Sequence, residues 1–484
     1  MRLHVERGAP EKQAVASREF YQMQDISMFR HIFPRTTMLA AALALAAGPL
    51  HANPFETTLP NGMKVIVKED RRAPSVVHMV WYGAGSMDEA AGVSGVAHIL
   101  EHMMFKGTDK VGPGEFNKRV AAIGGRDNAF TGQDYTAYFQ QVPSSRLGDV
   151  MALEADRMAH LKITDKEFKP ELEVVKEERR LRTDDEPRSL VNEQLMATAF
   201  EAHPYHRPVI GWMTDLDTTG AEDARRWYRT WYVPNNARLV VVGDVDHRQV
   251  FEMARKHYGP AKARPLPERR ITTEPEQQGM RSVVVRAPAE LPYLELAWKA
   301  PTMRDPEQDR DVYALKVLAA VLDGYEGARL NRRLVRENRV AVSAGAGYDG
   351  SGRGPQLFTL DGSPAPGKTV ADLETALRAE IKRIQDEGIA EDELRRVKTQ
   401  TVAGQVYKRD SLMGQAMEIG FLESTGLSWR DDDKLLEGVR RVTAEEVQAV
   451  ARKYFSDDTL TRAQLDPLPI ADAKPHAHKP GMRH

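Results

Sequence analysis

The chain has 484 residues, a formal net charge of −2 and no cysteine. Its 68 Lys and Arg residues nearly balance its 70 Asp and Glu residues, so the composition shows no overall charge signature of a protein that binds nucleic acid or an anionic membrane. The lack of cysteine excludes disulfides and thiolate ligands, and any metal must therefore be bound by His, Asp or Glu.

The first 52 residues have the layout of an export signal preceded by a polar extension. Residues 28–35 form a short basic segment, residues 38–47 are wholly apolar, and Ala52 supplies a small residue for cleavage. This layout predicts a secretory signal peptide at residues 28–52 and export to the bacterial periplasm. We predict that translation starts at the methionine that opens the basic segment, and that residues 1–27 are a mis-called or disordered extension. Two other interpretations stay open: a membrane anchor, for which the apolar run is short, and a disordered tail followed by a buried helix.

The pattern of residues 53–260 predicts that they form an N-terminal domain with both strands and helices. A Pro60-Asn61-Gly62 turn separates two β-branched runs and predicts a hairpin. A glycine-rich break at residues 83–86 then leads from a third strand into a helix. The expected strands are residues 55–59, 63–68, 75–82, 128–142 and 238–242, and the further expected helices are residues 114–123, 147–161 and 170–182.

A histidine pair lies on the helix that follows the glycine-rich break. The sequence from His98 to His102 reads HILEH. Side chains four residues apart on a helix lie one above the other, so both imidazoles can bind one ion, and Glu101 shares their face. A zinc hydrolase needs neutral imidazole ligands, an anionic ligand and a carboxylate that takes a proton from water. The motif therefore predicts part of a zinc site, although a partly buried histidine pair with a solubilising glutamate has the same spacing.

A third ligand is expected on the helix predicted at residues 170–182. Glu171 and Glu178 are seven residues apart, which is two helical turns, so they share one face of that helix. Glu178 follows His102 by 76 residues. Glu177 is the neighbouring alternative for the third ligand, but Glu178 has the better helical phase with Glu171.

Several motifs occur together, in a fixed order, along most of the chain. They are HxxEH at residues 98–102, ExxxVxxE at Glu171, Val175 and Glu178, NAFT at residues 128–131 with Thr136 and Tyr138, and two further landmarks at residues 203–211 and 231–244. In this combination the sequence, from about residue 55 to about residue 465, resembles the inverted-zincin metallopeptidases, the family of pitrilysin, insulin-degrading enzyme and mitochondrial processing peptidase.

The resemblance implies a peptidase site with one zinc ion per chain. His98, His102 and Glu178 would be the zinc ligands. Glu101 would be the catalytic general base, and Glu171 would orient a histidine ligand by accepting its other N–H. The implied fold class is α+β, with two related domains, each a mostly antiparallel sheet flanked by helices, that form half of a clam-shell peptidase chamber.

The same resemblance implies how a substrate binds. Asn128, Ala129 and Thr131 would belong to a strand whose free edge hydrogen-bonds an extended peptide. Binding through the backbone favours oligopeptides and unfolded polypeptides as substrates. A plain internal strand with no ligand is the alternative interpretation of this segment.

The second half of the sequence predicts a repeat of the first. Residues 261–279 are rich in proline and charge and predict a linker, residues 280–467 a C-terminal domain, and residues 468–484 a flexible tail. The predicted helix of this domain has no histidine and no HxxEH motif, so the repeat is expected to hold no metal. The elements that repeat the start of the first domain are residues 281–287, 293–300 and 309–322.

Relatives of this kind carry an arginine and, seven residues later, a tyrosine in the second domain, and both bind the substrate backbone. Here Val335 and Val342 fall at those positions, although a shift of one residue would bring in Arg336, and Tyr348 lies nearby. Some bacterial members of the family are half-length and work as heterodimers, in which one subunit has the zinc motif and the other the Arg/Tyr pair. The resemblance therefore implies a zinc-bearing subunit that needs a related partner subunit.

Two functions of another class stay open: a catalytically silent scaffold subunit with the same fold, and a peptide-binding or chaperone role without cleavage. A buried charged cluster is costly, and a scaffold has no need of one. The intact HxxEH motif with Glu178 therefore favours a zinc metalloendopeptidase. No nucleic-acid partner and no stable membrane anchor are expected.

Overall fold

The structure is a computed structural model that describes residues 54–270 and 272–470. The predicted extension and signal peptide, and residues 471–484 of the predicted tail, lie outside the described residues. Among the residues it describes, no helix is long and apolar enough to cross a membrane. These residues form two mostly antiparallel sheets with helices against them, which confirms the predicted α+β class.

The first sheet has six strands. They are β1 (Phe55–Thr58), β2 (Lys64–Glu69), β3 (Ser75–Tyr82), β4 (Arg126–Thr131), β5 (Thr136–Pro143) and β6 (Ala237–Gly243). Their order across the sheet is β1-β2-β6-β3-β5-β4, and β2 and β6 are the pair that runs parallel. Strand β4 is therefore an edge strand of this sheet.

The single strand predicted at residues 128–142 is wrong, because this segment is the hairpin of β4 and β5. In the turn between them, the Gly132 N–H donates a hydrogen bond to the Tyr135 carbonyl at 2.8 Å. Gly132 and Asp134 are residues that favour turns. The aromatic and β-branched residues on both sides favour strands, so the sequence pattern did not predict the turn. The third predicted strand, Ser75–Tyr82, is confirmed at both ends.

Helices of the first half cover one face of the first sheet. Successive residues of β3 alternate in direction, so Val76 and Val80 pack in a core with Ile99 and Val150, whereas Met79 points to the opposite face. The helices of the first half are α1 (Val96–Met103), α2 (Glu115–Ala122), α3 (Leu147–His160), α4 (Asp165–Arg179), α5 (Pro187–Ala199), α6 (Met213–Leu216), α7 (Ala221–Trp231) and α8 (His247–Tyr258), and α5 packs on the second sheet instead.

The second sheet repeats the topology of the first. Its strands are β7 (Arg281–Pro288), β8 (Tyr293–Ala300), β9 (Ala341–Gly347), β10 (Gln356–Pro364) and β11 (Leu460–Leu468). Their order, β7-β11-β8-β10-β9, corresponds strand for strand to β2-β6-β3-β5-β4, and β7 and β11 are again the parallel pair. This correspondence confirms that the two halves are related.

The predicted linker, residues 261–279, has no helix or strand among its described residues. The predicted helix at residues 309–322 is present, shifted by one residue. The helices of the second half are α9 (Arg310–Asp323), α10 (Val370–Glu387), α11 (Glu391–Lys408), α12 (Leu412–Ser424), α13 (Asp432–Arg440) and α14 (Ala444–Tyr454).

Each sheet has one face covered by a helix from the other half of the chain. Helix α5, from the first half, packs on the second sheet, where Leu195 lies in one buried cluster with Ala297. Helix α12, from the second half, packs on the first sheet, where Ile419 lies in one buried cluster with Val77. Separation of the halves would expose both faces to water, so we expect them to unfold as one cooperative unit.

The close packing of α12 on the first sheet gives a stability prediction. A Cβ atom at Gly420 would lie 2.0 Å from the Trp81 ring, and Trp81 is fully buried. Gly420→Ala is therefore expected to lower the free energy of unfolding by about 1–3 kcal/mol through overpacking, despite its better helix propensity. Urea denaturation followed by tryptophan fluorescence measures this change.

The matched control is Gly404→Ala in α11. Nothing lies within 4 Å of a Cβ added at Gly404. Helix propensity alone should then raise the free energy of unfolding by up to about 1 kcal/mol. Equal shifts in the two variants would show that α12 does not pack against Trp81 as described.

A second prediction concerns a buried carboxyl beneath α5. Glu295 of β8 is buried and is the cross-strand neighbour of Asp361, and Asn192 of α5 donates a hydrogen bond to it at 3.4 Å. Burial, followed by the charge of Asp361, raises the pKa of Glu295 to about 7. The folded chain thus binds this proton more tightly than the unfolded chain, so the associated stability is present below pH 4.5 and is lost as the pH rises through about 7.

Glu295→Gln is expected to remove this pH dependence, which amounts to about 3 kcal/mol at most. The free energy of unfolding, measured in urea at about pH 5 and about pH 8, should fall less with pH in the variant than in the natural chain. An equal fall in the free energy of unfolding between the two pH values in both proteins would contradict the assignment of the raised pKa to Glu295.

Candidate active site

Helix α1 begins after a glycine in the left-handed conformation and is capped by a buried carboxyl group. Gly95, the residue before the helix, has a φ of 88°. Glu89 accepts hydrogen bonds from the N–H groups of Gly95 and Ala97, both at 2.9 Å. Burial raises the pKa of Glu89 to about 8, although the two hydrogen bonds oppose the rise. Glu89 thereby fixes the first turn of the helix that carries the HILEH motif.

The HILEH residues divide between two faces of α1. Ile99 and Leu100 are fully buried in the core of the first half. The other three side chains face α4 and the end of β4, where they meet polar partners. These three are His98, Glu101 and His102.

Helix α4 begins earlier than predicted. The sequence placed its start at Pro170, but the helix follows Thr164, whose hydroxyl accepts a hydrogen bond from the Glu167 N–H at 3.3 Å. A threonine N-cap starts the helix, and the proline lies within it at the cost of one backbone hydrogen bond. After α4 the chain continues in a π-helical turn, Arg180–Asp184, a form that is frequent at functional sites.

Three ligand atoms converge between α1 and α4. Glu178 Oε2 lies 3.3 Å from His102 Nε2 and 3.8 Å from His98 Nε2, and the three residues form a group that could hold a metal ion. Donors at about 2.1 Å from a tetrahedral zinc ion are about 3.4 Å apart. The spacing therefore fits zinc with three protein ligands. The structure brings together the three residues that the sequence proposed as ligands.

The two imidazoles differ in their protonation. Burial, with the charge of His102 as the next cause, lowers the pKa of His98 to about 4. Burial acts in the same direction on His102, but hydrogen bonds with Glu171 and Glu178 outweigh it and raise the pKa of His102 to about 9. His98 is thus neutral at pH 7, as a metal ligand must be, whereas His102 carries a proton that a metal must displace.

Glu171 contacts His102 as the resemblance implies. Its Oε1 lies 2.9 Å from His102 Nδ1, and it also forms an ion pair with Lys106. Burial opposes ionisation of Glu171, but its bonds to His102 and Lys106 outweigh burial and lower its pKa. Glu171 therefore accepts a hydrogen bond from His102 Nδ1, while His102 Nε2 is the ring nitrogen that lies near Glu178.

Arg182 holds the other oxygen of Glu178. Arg182 Nη1 lies 2.5 Å from Glu178 Oε1, so Oε2 is the oxygen that faces the histidines. Burial would raise the pKa of Glu178, but the hydrogen bond with His102 and the nearby positive charges lower it to about 2. Sequence reasoning did not propose Arg182 or Lys106 for this site. The signal for Arg182 was present, because Arg182 follows Glu178 by the four residues that pair side chains on a helix. Lys106 lies beyond the end of α1 and pairs with Glu171 of α4, a contact that had no such signal.

Glu101 lies beside the convergence point and is hydrogen-bonded to β4. Thr131 Oγ1 donates a hydrogen bond to Glu101 Oε2 at 2.5 Å. Burial raises the pKa of Glu101, although this hydrogen bond opposes the rise. A raised pKa makes a carboxylate a stronger base. Thr131 was proposed as a substrate-binding residue, and its contact with Glu101 had no signal in the sequence.

Asn128 and Ala129 lie on the edge strand β4. Its neighbour in the sheet is β5, and the opposite edge of β4 has no strand partner within the described chain. The Ala129 N–H donates a hydrogen bond to the side chain of Asn128 at 2.9 Å. Asn128, Ala129 and Thr131 therefore share one sheet edge, and Thr131 is at the end nearest Glu101.

The alternatives raised by the sequence lie elsewhere. The Glu177 side chain is 59% exposed and pairs with Arg180 at 2.9 Å. Arg336 pairs with Glu326 at 2.5 Å, and the Tyr348 hydroxyl donates to the Pro301 carbonyl at 2.6 Å. Val335 packs against the core of the second half, and Val342 of β9 is exposed.

Known proteins match both halves of the chain. Residues 64–212 match the family described as Insulinase (Peptidase family M16), and residues 219–401 match the one described as Peptidase M16 inactive domain. A relative, the zinc protease PqqE of Helicobacter pylori, is 30% identical over 444 residues, which cover 89% of this chain and 98% of the relative. The chain belongs to peptidase family M16.

Two solved structures share the M16 fold. A protease from Helicobacter pylori is 29% identical with a TM-score of 0.81, and the match covers 86% of this chain and 100% of that one. The periplasmic protease PqqL from Escherichia coli is 20% identical with a TM-score of 0.74, and the match covers 87% of this chain but 48% of that one. The fold of this M16 chain therefore matches about half of the PqqL chain.

Proposed function

We propose that this M16 chain is a zinc metalloendopeptidase that hydrolyses peptide bonds in oligopeptides or unfolded polypeptides. The observation that carries the proposal is the convergence of His98, His102 and Glu178 at distances suited to zinc, with Glu101 beside them. Family membership and the relatives named zinc proteases support it. A catalytically silent scaffold with the same fold is the alternative.

The residues at the convergence point fit zinc in number and in kind. Two imidazoles and one carboxylate leave a fourth position open, as in catalytic zinc sites. Within the described chain, His98 Nδ1 is buried and has no hydrogen-bond partner, so metal binding by Nε2 is the interaction that would orient this ring. When bound, zinc polarises a carbonyl and lowers the pKa of water.

Glu101 would act as the general base. Its carboxylate takes a proton from the attacking water and passes it to the amine that leaves when the peptide bond breaks. Thr131 holds Oε2 of Glu101 by a hydrogen bond, which leaves Oε1 for the water. Glu171 would hold His102 in the orientation that presents Nε2 to the metal.

The edge of β4 would bind the substrate backbone. An extended peptide added to this edge acquires main-chain hydrogen bonds whatever its sequence. A folded protein cannot present such a strand without unfolding locally. The edge therefore favours oligopeptides and unfolded chains. Because Thr131 of this strand is hydrogen-bonded to Glu101, a peptide bound along the edge would lie beside Glu101.

A related partner subunit would complete the enzyme. The match with PqqL covers about half of the PqqL chain. This coverage is consistent with an enzyme built from two such halves. Val335 and Val342 stand where an arginine and a tyrosine are expected, and the nearby Arg336 and Tyr348 are bound to other groups. The partner would supply the missing pair. We place this heterodimer in the periplasm on the basis of residues 28–52.

Cleavage of an internally quenched, unstructured peptide tests the proposal. The purified chain is assayed alone and with a related chain that has the Arg/Tyr pair and no HxxEH motif, each with and without a chelator. Activity in the mixture that the chelator abolishes is expected. Chelator-sensitive activity of the chain alone would contradict the need for a partner. No cleavage in the mixture, with zinc bound, would leave the scaffold as the function.

A further inference from the structure

A cavity of about 250 Å³ lies where the two halves of the chain meet. One side is formed by α5 and the residues after it, and the other by the ends of β9 and β10 that face them. We call it the junction cavity. Its main walls are Gln133, Leu195, Phe200, Tyr205, Tyr348 and Leu357.

Polar contacts between the halves fix the walls of the junction cavity. The Tyr205 hydroxyl donates a hydrogen bond to Asp134 at 2.7 Å and accepts one from the Gly354 N–H at 2.9 Å. The Arg353 N–H donates to Asp134 at 2.9 Å, and its guanidinium binds Asp88 at 2.8 and 3.1 Å. Because these bonds tie the loop before β10 to the first half, the cavity is preformed.

Gln133 connects the junction cavity to the candidate active site. It lies in the turn after β4, two residues beyond Thr131, whose hydroxyl donates to Glu101. A peptide on the edge of β4 that runs past Glu101 in extended form advances about 3.3 Å per residue. A side chain roughly two to four residues from the scissile bond would therefore reach the cavity.

The lining selects the kind of group that fits. The buried walls, Leu195, Phe200 and Tyr205, are aliphatic and aromatic, whereas Asp349, which also lines the cavity, is exposed. The side-chain amides of the lining donate hydrogen bonds within the protein, at 3.4 Å from Gln133, 3.4 Å from Asn192 and 3.3 Å from Gln356, so the buried walls offer apolar contacts. The volume lies below the range of about 300–1,000 Å³ that is typical of small-molecule and cofactor sites. It suits one large side chain instead.

We infer that the junction cavity is a specificity subsite that binds one large apolar side chain of the substrate peptide. The inference rests on the proposed peptidase function. Full burial of a leucine or phenylalanine side chain corresponds to a preference of about 10- to 100-fold in kcat/KM over a peptide with serine at that position.

The test compares quenched peptides that differ only in a single phenylalanine or serine, moved through the four positions on each side of the scissile bond. Met196, on α5, lines the cavity, and Met196→Trp fills it. Gln194→Trp, on the same helix but outside the lining, is the matched control. Assayed together with the partner subunit, the natural chain and the control should prefer phenylalanine at one position, and Met196→Trp should lose that preference while it still cleaves the serine peptide. An unchanged preference in Met196→Trp would overturn the inference.

Peptide binding separates this inference from the proposed function. Fluorescence anisotropy measures the binding of the same peptides to the Glu101→Gln chain, with and without Met196→Trp, and needs no turnover. Tighter binding of the phenylalanine peptide that Met196→Trp abolishes supports the subsite even if no peptide is cleaved. Equal binding of both peptides to Glu101→Gln would overturn it even if the chain is an active peptidase.

Discussion

Glu101→Gln is expected to keep zinc bound and to reduce kcat for peptide hydrolysis by about 10²- to 10⁴-fold. Glutamine has nearly the shape of glutamate and can still accept the hydrogen bond from Thr131. It cannot take a proton from water. Glu101 is not one of the three residues whose ligand atoms converge, so its replacement should leave the metal site intact.

Two measurements on the same protein decide this prediction. Zinc content is determined by mass spectrometry of the dialysed protein, and kcat by cleavage of the quenched peptide in the presence of the partner subunit. A variant with bound zinc and normal kcat would refute Glu101 as the base. A variant without zinc would show that Glu101 belongs to the metal site itself.

Glu178→Gln is expected to lose both zinc and activity. An amide is a poor zinc ligand, and the loss of the one anionic ligand leaves only the imidazoles of His98 and His102. The fall in zinc affinity should exceed the roughly 10- to 100-fold cost of losing an outer hydrogen-bond partner. Zinc affinity is measured by competition with a chromogenic chelator.

Glu177→Gln is the matched control, because it makes the same chemical change one residue away. The Glu177 side chain is exposed and pairs with Arg180 outside the cluster. Zinc affinity and kcat should equal those of the natural chain. Loss of zinc in Glu177→Gln, with zinc retained in Glu178→Gln, would show that Glu177 is the zinc ligand and that Glu178 is not.

The parts of the site that lie on one helical face could be predicted from sequence. The spacing of His98, Glu101 and His102 fixes their common face, and the motif around Glu178 identified the second helix. A local signal also existed for Arg182, which follows the proposed ligand Glu178 by four residues. The contacts of Lys106 with Glu171 and of Thr131 with Glu101 could not be predicted from local patterns, because each joins two elements that are far apart in the sequence.

Strands and helices could be predicted correctly where the pattern of apolar residues and the turn-forming residues indicated the same boundaries. The strand Ser75–Tyr82 is bounded by clear breaks, whereas the turn at Gly132 was concealed among strand-forming residues. Helix α4 begins before the predicted start at residue 170, because Thr164 caps it and Pro170 is accommodated inside it. The exchange of α5 and α12 between the sheets could not be foreseen, because an amphipathic pattern shows that a helix has a buried face but not which sheet covers it.

The most direct test of the central claim is a titration of zinc into the chelator-stripped chain, in the presence of its partner, while peptide cleavage is followed. One catalytic zinc held by His98, His102 and Glu178 predicts that activity rises from near zero and reaches its plateau at one zinc per chain. Full activity of the stripped chain, or a plateau that does not coincide with one bound zinc, would contradict the account.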